Sequence, residues 1–162
     1  MVSHRMWNTN IWWFMVDNKE QFGFRGISIK GICVHNTGNA LSAQENYDLM
    51  ATSKDNRGCH FFIDESEVIQ AMPLNYCVYH TGMGIDWACK HTLAIEIARS
   101  QASDDLYAQA ESNAVEYIKY LMDRYELTTD DIYFHHDFNQ QTYCPHRIMD
   151  NETKQEWIER CF

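Results

Sequence analysis

No run of lysine and arginine occurs anywhere in this sequence of 162 residues: 13 basic residues stand against 23 acidic ones, a formal charge of -10. That balance removes the electrostatic footprint needed to hold duplex DNA or RNA, and it offers no attraction to an anionic lipid surface. The six cysteines, Cys33, Cys59, Cys77, Cys89, Cys144 and Cys161, form no C-x-x-C pair and no dense disulfide framework, so most are expected to be reduced and structural. The longest apolar run near the start, Ile11-Trp12-Trp13-Phe14-Met15-Val16, is too short for a membrane span or a secretory signal core and has no small-residue cleavage site. Synthesis in the cytoplasm without a signal peptide is the expectation. Repeats, low-complexity tracts and flexible linkers are absent, and the two prolines, Pro73 and Pro145, sit singly beside apparent element ends. A single domain over residues 1–162 follows, and with 45% hydrophobic residues it can fill a core without staples.

Residues 1–26 are rich in Trp and Phe but show no clean period, which reads as an irregular arm. Ile27 to His35 has the β-branched and apolar content of a buried strand, and Asn36-Thr37-Gly38 is turn chemistry. Ser42-x-x-Glu45 is a capping-box pattern opening a short helix that runs to about Ser53. Cys59 to Asp64 and Val68 to Met72 read as a hairpin. Thr92 to Ala98 reads as a strand with Leu93, Ile95 and Ile97 on one face and Thr92, Ala94, Glu96 and Ala98 on the other. Ser103 is placed to cap a long helix with Asp104 and Asp105 in its first turn. A short strand, Ile132 to His135, and a closing helix, Glu152 to Arg160 within a final segment 148–162, complete the order β, α, β, β, β, α, β, α. That order predicts an α/β fold: a central mixed sheet flanked by helices.

Three positions far apart in sequence carry donor atoms at or after predicted strand ends: His35, the His135-His136-Asp137 triplet, and Cys144-Pro145. Zinc favours imidazole nitrogen and thiolate sulfur, and a catalytic site keeps three protein ligands with a fourth position for water or substrate. Taken singly, each residue has a plainer reading, since a strand-end histidine is commonly hydrogen-bonded scaffold and a lone cysteine a small buried hydrophobe. On a strand, His135 and His136 would point to opposite faces, so one of them reaches a shared metal and His136, beside Ile132 and Phe134, packs inside.

Five segments, Gly31-Ile32-Cys33-Val34-His35-Asn36-Thr37-Gly38, Cys59-His60-Phe61-Phe62-Ile63-Asp64, Tyr79-His80-Thr81-Gly82, Leu93-Ala94-Ile95-Glu96-Ile97 and His135-His136-Asp137 with Cys144-Pro145, stand in the order of one family. Over residues 27–147 the chain resembles the zinc-dependent N-acetylmuramoyl-L-alanine amidases of the phage lysozyme and peptidoglycan recognition protein type, in particular catalytic domains of phage endolysins. The resemblance implies zinc held by His35, His135 and Cys144, with Glu96 as the catalytic acid and base. It implies hydrolysis of the amide between N-acetylmuramic acid and L-alanine in bacterial peptidoglycan, hence lysis of the cell wall. His60, His80, Asn36 and Thr142 are the expected substrate-lining residues, and Asp137 is expected to orient a ligand or cap the loop.

Departures from the family pattern mark where the expectation is open. Thr142 stands where many relatives carry a lysine two residues before the cysteine, so a charged oxyanion stabiliser is missing, with Tyr143 or His146 as substitutes. Cys59 replaces a frequent tyrosine. Three other readings compete: a peptidoglycan-binding module without catalysis, a zinc peptidase cutting within the stem peptide or at an unrelated amide, and a stable domain with a structural metal. Against the last stands the count of three ligands where a closed site wants four. The acidic charge opposes adhesion to anionic wall polymers, which points to wall affinity from a C-terminal wall-binding domain in a longer chain.

Overall fold

The computed structural model describes residues 3–6 and 9–162, the first of these segments as backbone alone. Nine strands and seven helices follow in order. The strands are β1 (Ser3–Met6), β2 (Thr9–Trp13), β3 (Gly23–Arg25), β4 (Gly31–Asn36), β5 (Phe61–Ile63), β6 (Glu67–Gln70), β7 (Tyr76–Val78), β8 (Thr92–Ile97) and β9 (Ile132–Phe134). The helices are α1 (Lys19–Phe22), α2 (Ala43–Thr52), α3 (Trp87–His91), α4 (Asp104–Tyr125), α5 (His135–Phe138), α6 (His146–Met149) and α7 (Lys154–Cys161). Seven strands form one sheet in the order β1-β2-β6-β5-β8-β4-β9, and β3 pairs with β7 beside it. β5, β8, β4 and β9 run parallel, while β6 is antiparallel to β5. The expected α/β architecture, a mixed sheet flanked by helices, is the one observed.

Every residue of β4 is buried, because helices cover both faces of the parallel centre. On one face Ile32, Val34, Leu93, Ile95 and Ile97 pack with Ala110, Ala114, Ile118 and Leu121 of α4. On the other, Ala94 joins Met50, Phe62 and Met72 in a smaller apolar cluster beside α2. Because side chains alternate across a strand, Cys33 and His35 of β4 and Thr92, Ala94 and Glu96 of β8 share this second face.

The capping box of α2 forms as expected, with Ser42 Oγ accepting from the Glu45 amide and Glu45 Oε2 accepting from the Ser42 amide. The expected hairpin is present as β5 and β6. Other expectations need correction. Within the segment 1–26, expected as an irregular arm, the described residues 9–13 form β2, which adds to the sheet parallel to β6. Ile11 enters the large core and Trp12 packs on the small one, so both faces are apolar and no polar alternation marks the strand. The strand expected from Ile27 begins at Gly31, since Ser28 and Lys30 donate to the carbonyls of Lys90 and His91 at the end of α3 instead. Ser103 occupies the N-cap of α4, yet its side chain makes no capping hydrogen bond. β9 ends at Phe134, one residue early, because Asp137 Oδ2 accepts from the Phe134 amide at 2.8 Å and turns the chain into α5.

Candidate metal centre and active site

His35 and Glu96 are register partners on the parallel pair β4 and β8, one residue from the end of each strand. Their side chains emerge at the carboxyl ends of the strands, where α/β sheets commonly open a crevice. An open cleft of about 690 Å³ lies there, lined among others by His35, Glu96, His135, Thr142, Cys144 and Arg57. His135 comes from the first residue of α5, immediately after β9, and Cys144 from the loop that precedes α6. The loop is latched to α5: the His136 amide donates to the Cys144 carbonyl at 2.9 Å, and His136 Nδ1 pairs with the Thr142 carbonyl at 2.8 Å.

The three donor groups converge. His35 Nδ1 lies 3.1 Å from His135 Nδ1 and 3.9 Å from Cys144 Sγ. Tetrahedral zinc, with bonds of about 2.0–2.1 Å to nitrogen and about 2.3 Å to sulfur, needs ligand spacings of roughly 3.3–3.6 Å, so these two spacings lie within a few tenths of an ångström of it, and all three donor atoms fall within 4.8 Å of one another. The proton inventory points the same way. His135 Nε2 faces the Thr81 carbonyl at 2.9 Å, an acceptor, so the neutral ring carries its hydrogen there and leaves Nδ1 bare. A cation satisfies such a set of lone pairs where another hydrogen-bond acceptor would not.

Electrostatics describe a site short of positive charge. Burial, with the neighbouring His80 and His135, pushes His35 well below the usual imidazole range. Burial, reinforced by the Glu96 charge, raises the Cys144 thiol to about 12, against which the Asn36 backbone N–H favours the thiolate. Glu96 is raised to about 8 by burial, with Arg57 opposing the shift. Its Oε2 atom is out of solvent and lacks any hydrogen-bond partner in the described structure. A buried thiol and two imidazole lone pairs fit a divalent cation of intermediate softness better than magnesium or calcium, which prefer all-oxygen shells.

Some of the expected substrate-lining residues are placed differently. His60 is fully buried outside the cleft, with Nε2 on the Tyr76 carbonyl at 2.9 Å and Nδ1 accepting from the Ala94 amide at 2.9 Å, so it is a structural histidine. Asn36, one residue beyond His35, borders the cleft as expected, but its side-chain amide is spent on the opposite face of the sheet. There Nδ2 donates to Tyr107 Oη and Oδ1 accepts from the Arg147 amide. His80 borders the cleft but is buried, with both ring nitrogens engaged by His35 and Thr92. Thr142 lines the cleft wall, and Asp137 caps the start of α5 and pairs with Lys154 rather than orienting a ring. His135 and His136 lie on a helical turn, not on opposite faces of a strand. Tyr143 Oη is tied to Asp150 at 3.0 Å.

Arg57 is the single Arg or Lys among the described residues that line the cleft, and nothing in its polar turn of sequence singles it out. Thr81, whose carbonyl faces His135, was equally invisible, because a backbone acceptor carries no residue-type signal.

The sequence profile of N-acetylmuramoyl-L-alanine amidase matches residues 25–147. The chain belongs to this family. It is 33% identical over 129 residues to the N-acetylmuramoyl-L-alanine amidase CwlA of a Bacillus species, covering 79% of this chain and 51% of that protein. With the amidase XlyB of Bacillus subtilis strain 168 it shares 32% identity over 124 residues, covering 76% of this chain and 39% of the relative. The chain thus spans about half the length, or less, of the curated amidases it matches. Among solved structures, PlyL superposes with a TM-score of 0.87 at 25% identity, covering 93% of this chain and 96% of that one. The PlyG catalytic domain gives 0.85 at 27% identity, covering 93% and 92%. The family resemblance carried by the five motifs therefore holds at the level of sequence and of fold.

Proposed function

We propose that this chain is the catalytic domain of a zinc-dependent N-acetylmuramoyl-L-alanine amidase that lyses bacterial cell walls as a phage endolysin does. The observation that carries the reading is the convergence of His35 Nδ1, His135 Nδ1 and Cys144 Sγ beside the unpartnered Glu96 carboxylate at the floor of an open cleft. The names of the amidase relatives support the substrate, and a donor set of two imidazoles and one thiol supports zinc.

His35, His135 and Cys144 would hold the ion and leave one coordination position open to the cleft. Zinc, when bound there, supplies Lewis acidity that polarises the amide carbonyl and acidifies water. Glu96 takes the proton of the attacking water as oxygen bonds to the carbonyl carbon. It then delivers that proton to the amide nitrogen as the carbon–nitrogen bond breaks, leaving a lactyl carboxylate and a free L-alanine amine. A carboxyl with raised proton affinity suits both halves of this exchange, and a cation beside it restores the ionised form that must act first. Arg57 offers positive charge to the oxyanion from across the cleft, in place of the lysine absent at Thr142.

No helix among the described residues is long and apolar enough to cross a membrane, and action on the cell wall is part of the proposal. With a charge of -10, affinity for anionic wall polymers falls to another segment, and the greater length of the relatives leaves room for a C-terminal wall-binding domain.

The test is digestion of purified peptidoglycan by the zinc-loaded protein, scoring new amino termini and reducing sugar ends. New L-alanine termini without reducing ends, absent in Glu96→Ala, are expected. Termini of other residues would move the cut into the stem peptide, and binding without any product would make the chain a recognition module.

A further inference from the structure

Both imidazoles of the candidate metal site, His35 and His135, owe their proton positions to one two-residue segment, His80–Thr81. Thr92 Oγ1 lies 2.8 Å from the Ala88 carbonyl, which can only accept, so the hydroxyl proton points there. His80 Nε2 lies 3.1 Å from the same Thr92 oxygen, whose proton is already committed to the Ala88 carbonyl, and it must therefore carry the hydrogen of the neutral ring. A neutral imidazole has one N–H, so His80 Nδ1 is a lone pair. It sits 3.0 Å from His35 Nε2, which must then be the donor. His35 Nδ1 is left bare and aimed at His135 and Cys144. At the adjacent residue the Thr81 carbonyl imposes the same N–H position on His135.

We propose that His80, backed by Thr92, and the Thr81 carbonyl are positioning groups that lock His35 and His135 in the Nε2–H tautomer, so that two Nδ1 lone pairs meet at one cation site before the cation arrives. This inference rests on the metal reading given above. The segment is held for the purpose. Thr81 Oγ1 donates to Asp86 Oδ2 at 2.7 Å while Asp86 Oδ1 caps α3 at the Cys89 amide, and Asn139 Nδ2 gives the Thr81 carbonyl a second donor at 3.1 Å. Gly82 follows at φ +73°, a left-handed turn that L side chains rarely adopt. His80 is buried, so water does not compete for its nitrogens.

The lock also selects between two possible sites. Cys33, His35 and His80 form a second group with ligand atoms close enough for a metal, fully inside the protein. A metal held between His35 Nε2 and His80 Nδ1 would require both atoms to be bare together, which the hydrogen bond between them opposes. The cleft trio is the one left open.

The ring ¹⁵N–¹H long-range correlations of the metal-free, ¹⁵N-labelled full chain near pH 7.5 read the tautomers directly. Nε2–H is expected for His35, His80 and His135. In His80→Leu the His35 pattern should move toward a mixture of tautomers, and zinc affinity measured by chelator competition should fall roughly 10–100-fold, the usual effect of losing a group that orients a metal-bound histidine. His80→Asn, which keeps an acceptor near the Nδ1 position, should recover most of that affinity. Should His80→Leu fail to fold, Thr92→Val gives the same readouts with a smaller shift in the same direction. An Nδ1–H pattern for His35 in the unaltered protein, or zinc affinity unchanged across the folded variants, would overturn the lock. Failure of zinc to bind the unaltered protein, with the expected ring patterns in place, would leave the lock standing and overturn the metal reading instead.

Discussion

β4 and β8 carry two different environments on their two faces. Toward α4 they present Ile32, Val34, Leu93, Ile95 and Ile97, all buried among aliphatic and aromatic neighbours. Toward the cleft the same strands present Cys33, His35, Thr92, Ala94 and Glu96, with polar groups bonded to one another or left for a ligand. The lesson is that one residue of register decides whether a side chain stabilises or reacts: Asn36, next to His35, spends its amide on Tyr107 and Arg147 across the sheet.

Substitutions on the two faces should therefore fail in opposite ways. Glu96→Gln should lower kcat by about 10²–10⁴, the usual worth of a general acid–base group, with the fold intact by circular dichroism. Loss of structure in that variant would make Glu96 a scaffold residue. Ile95→Ala, its neighbour on the other face, should cost about 2–5 kcal/mol of unfolding free energy in urea titrations while leaving zinc affinity unchanged. A metal defect without instability would break the division between faces.

The pH dependence of the metal-free protein sharpens the comparison, because the two kinds of buried group pull in opposite directions. Glu96 is raised to about 8 from an ordinary value of 4.5, so the folded state holds its proton more tightly. Its contribution to stability is present below about pH 4.5 and is lost as pH rises through 8, and Glu96→Gln should flatten that decline. His60 is lowered to about 3 and His80 to about 4 by burial. Their contribution is present above pH 6.5 and is lost as pH falls toward those values. Thermal midpoints from pH 4 to 9 should show both slopes, and saturating zinc should suppress the Glu96 slope while leaving that of His60.

The smallest effect is expected at the rim. Arg57 has a side chain 71% exposed and bonded to Asp55. Arg57→Ala should leave stability within about 1 kcal/mol, as for an exposed ion pair, and should lower kcat/KM by roughly fivefold. A loss as large as that of Glu96→Gln would move Arg57 to the centre of the chemistry.

Much of this was legible before folding. The capping box at Ser42 and Glu45, the two-faced pattern of Thr92 to Ala98 and the motif order around His35, Glu96, His135 and Cys144 are local or linear signals that survive without coordinates. β2 was hidden because both of its faces are apolar, which removes the period-two pattern. His60 and His80 look alike in sequence and differ only in what surrounds their nitrogens: a carbonyl and an amide for one, a second imidazole and a hydroxyl for the other.

The sequence by itself determined the mixed α/β class, the family and the four residues that carry the proposed chemistry, because periodicity and motif order are written along the chain. Tertiary structure alone decided which nitrogen of each histidine faces the cleft, that the Asn36 amide is committed to Tyr107 and Arg147, and that Arg57 lines the cleft. Those outcomes depend on carbonyls, hydroxyls and strand registers supplied by segments distant in sequence, and a hydrogen bond has no direction until both partners are in place.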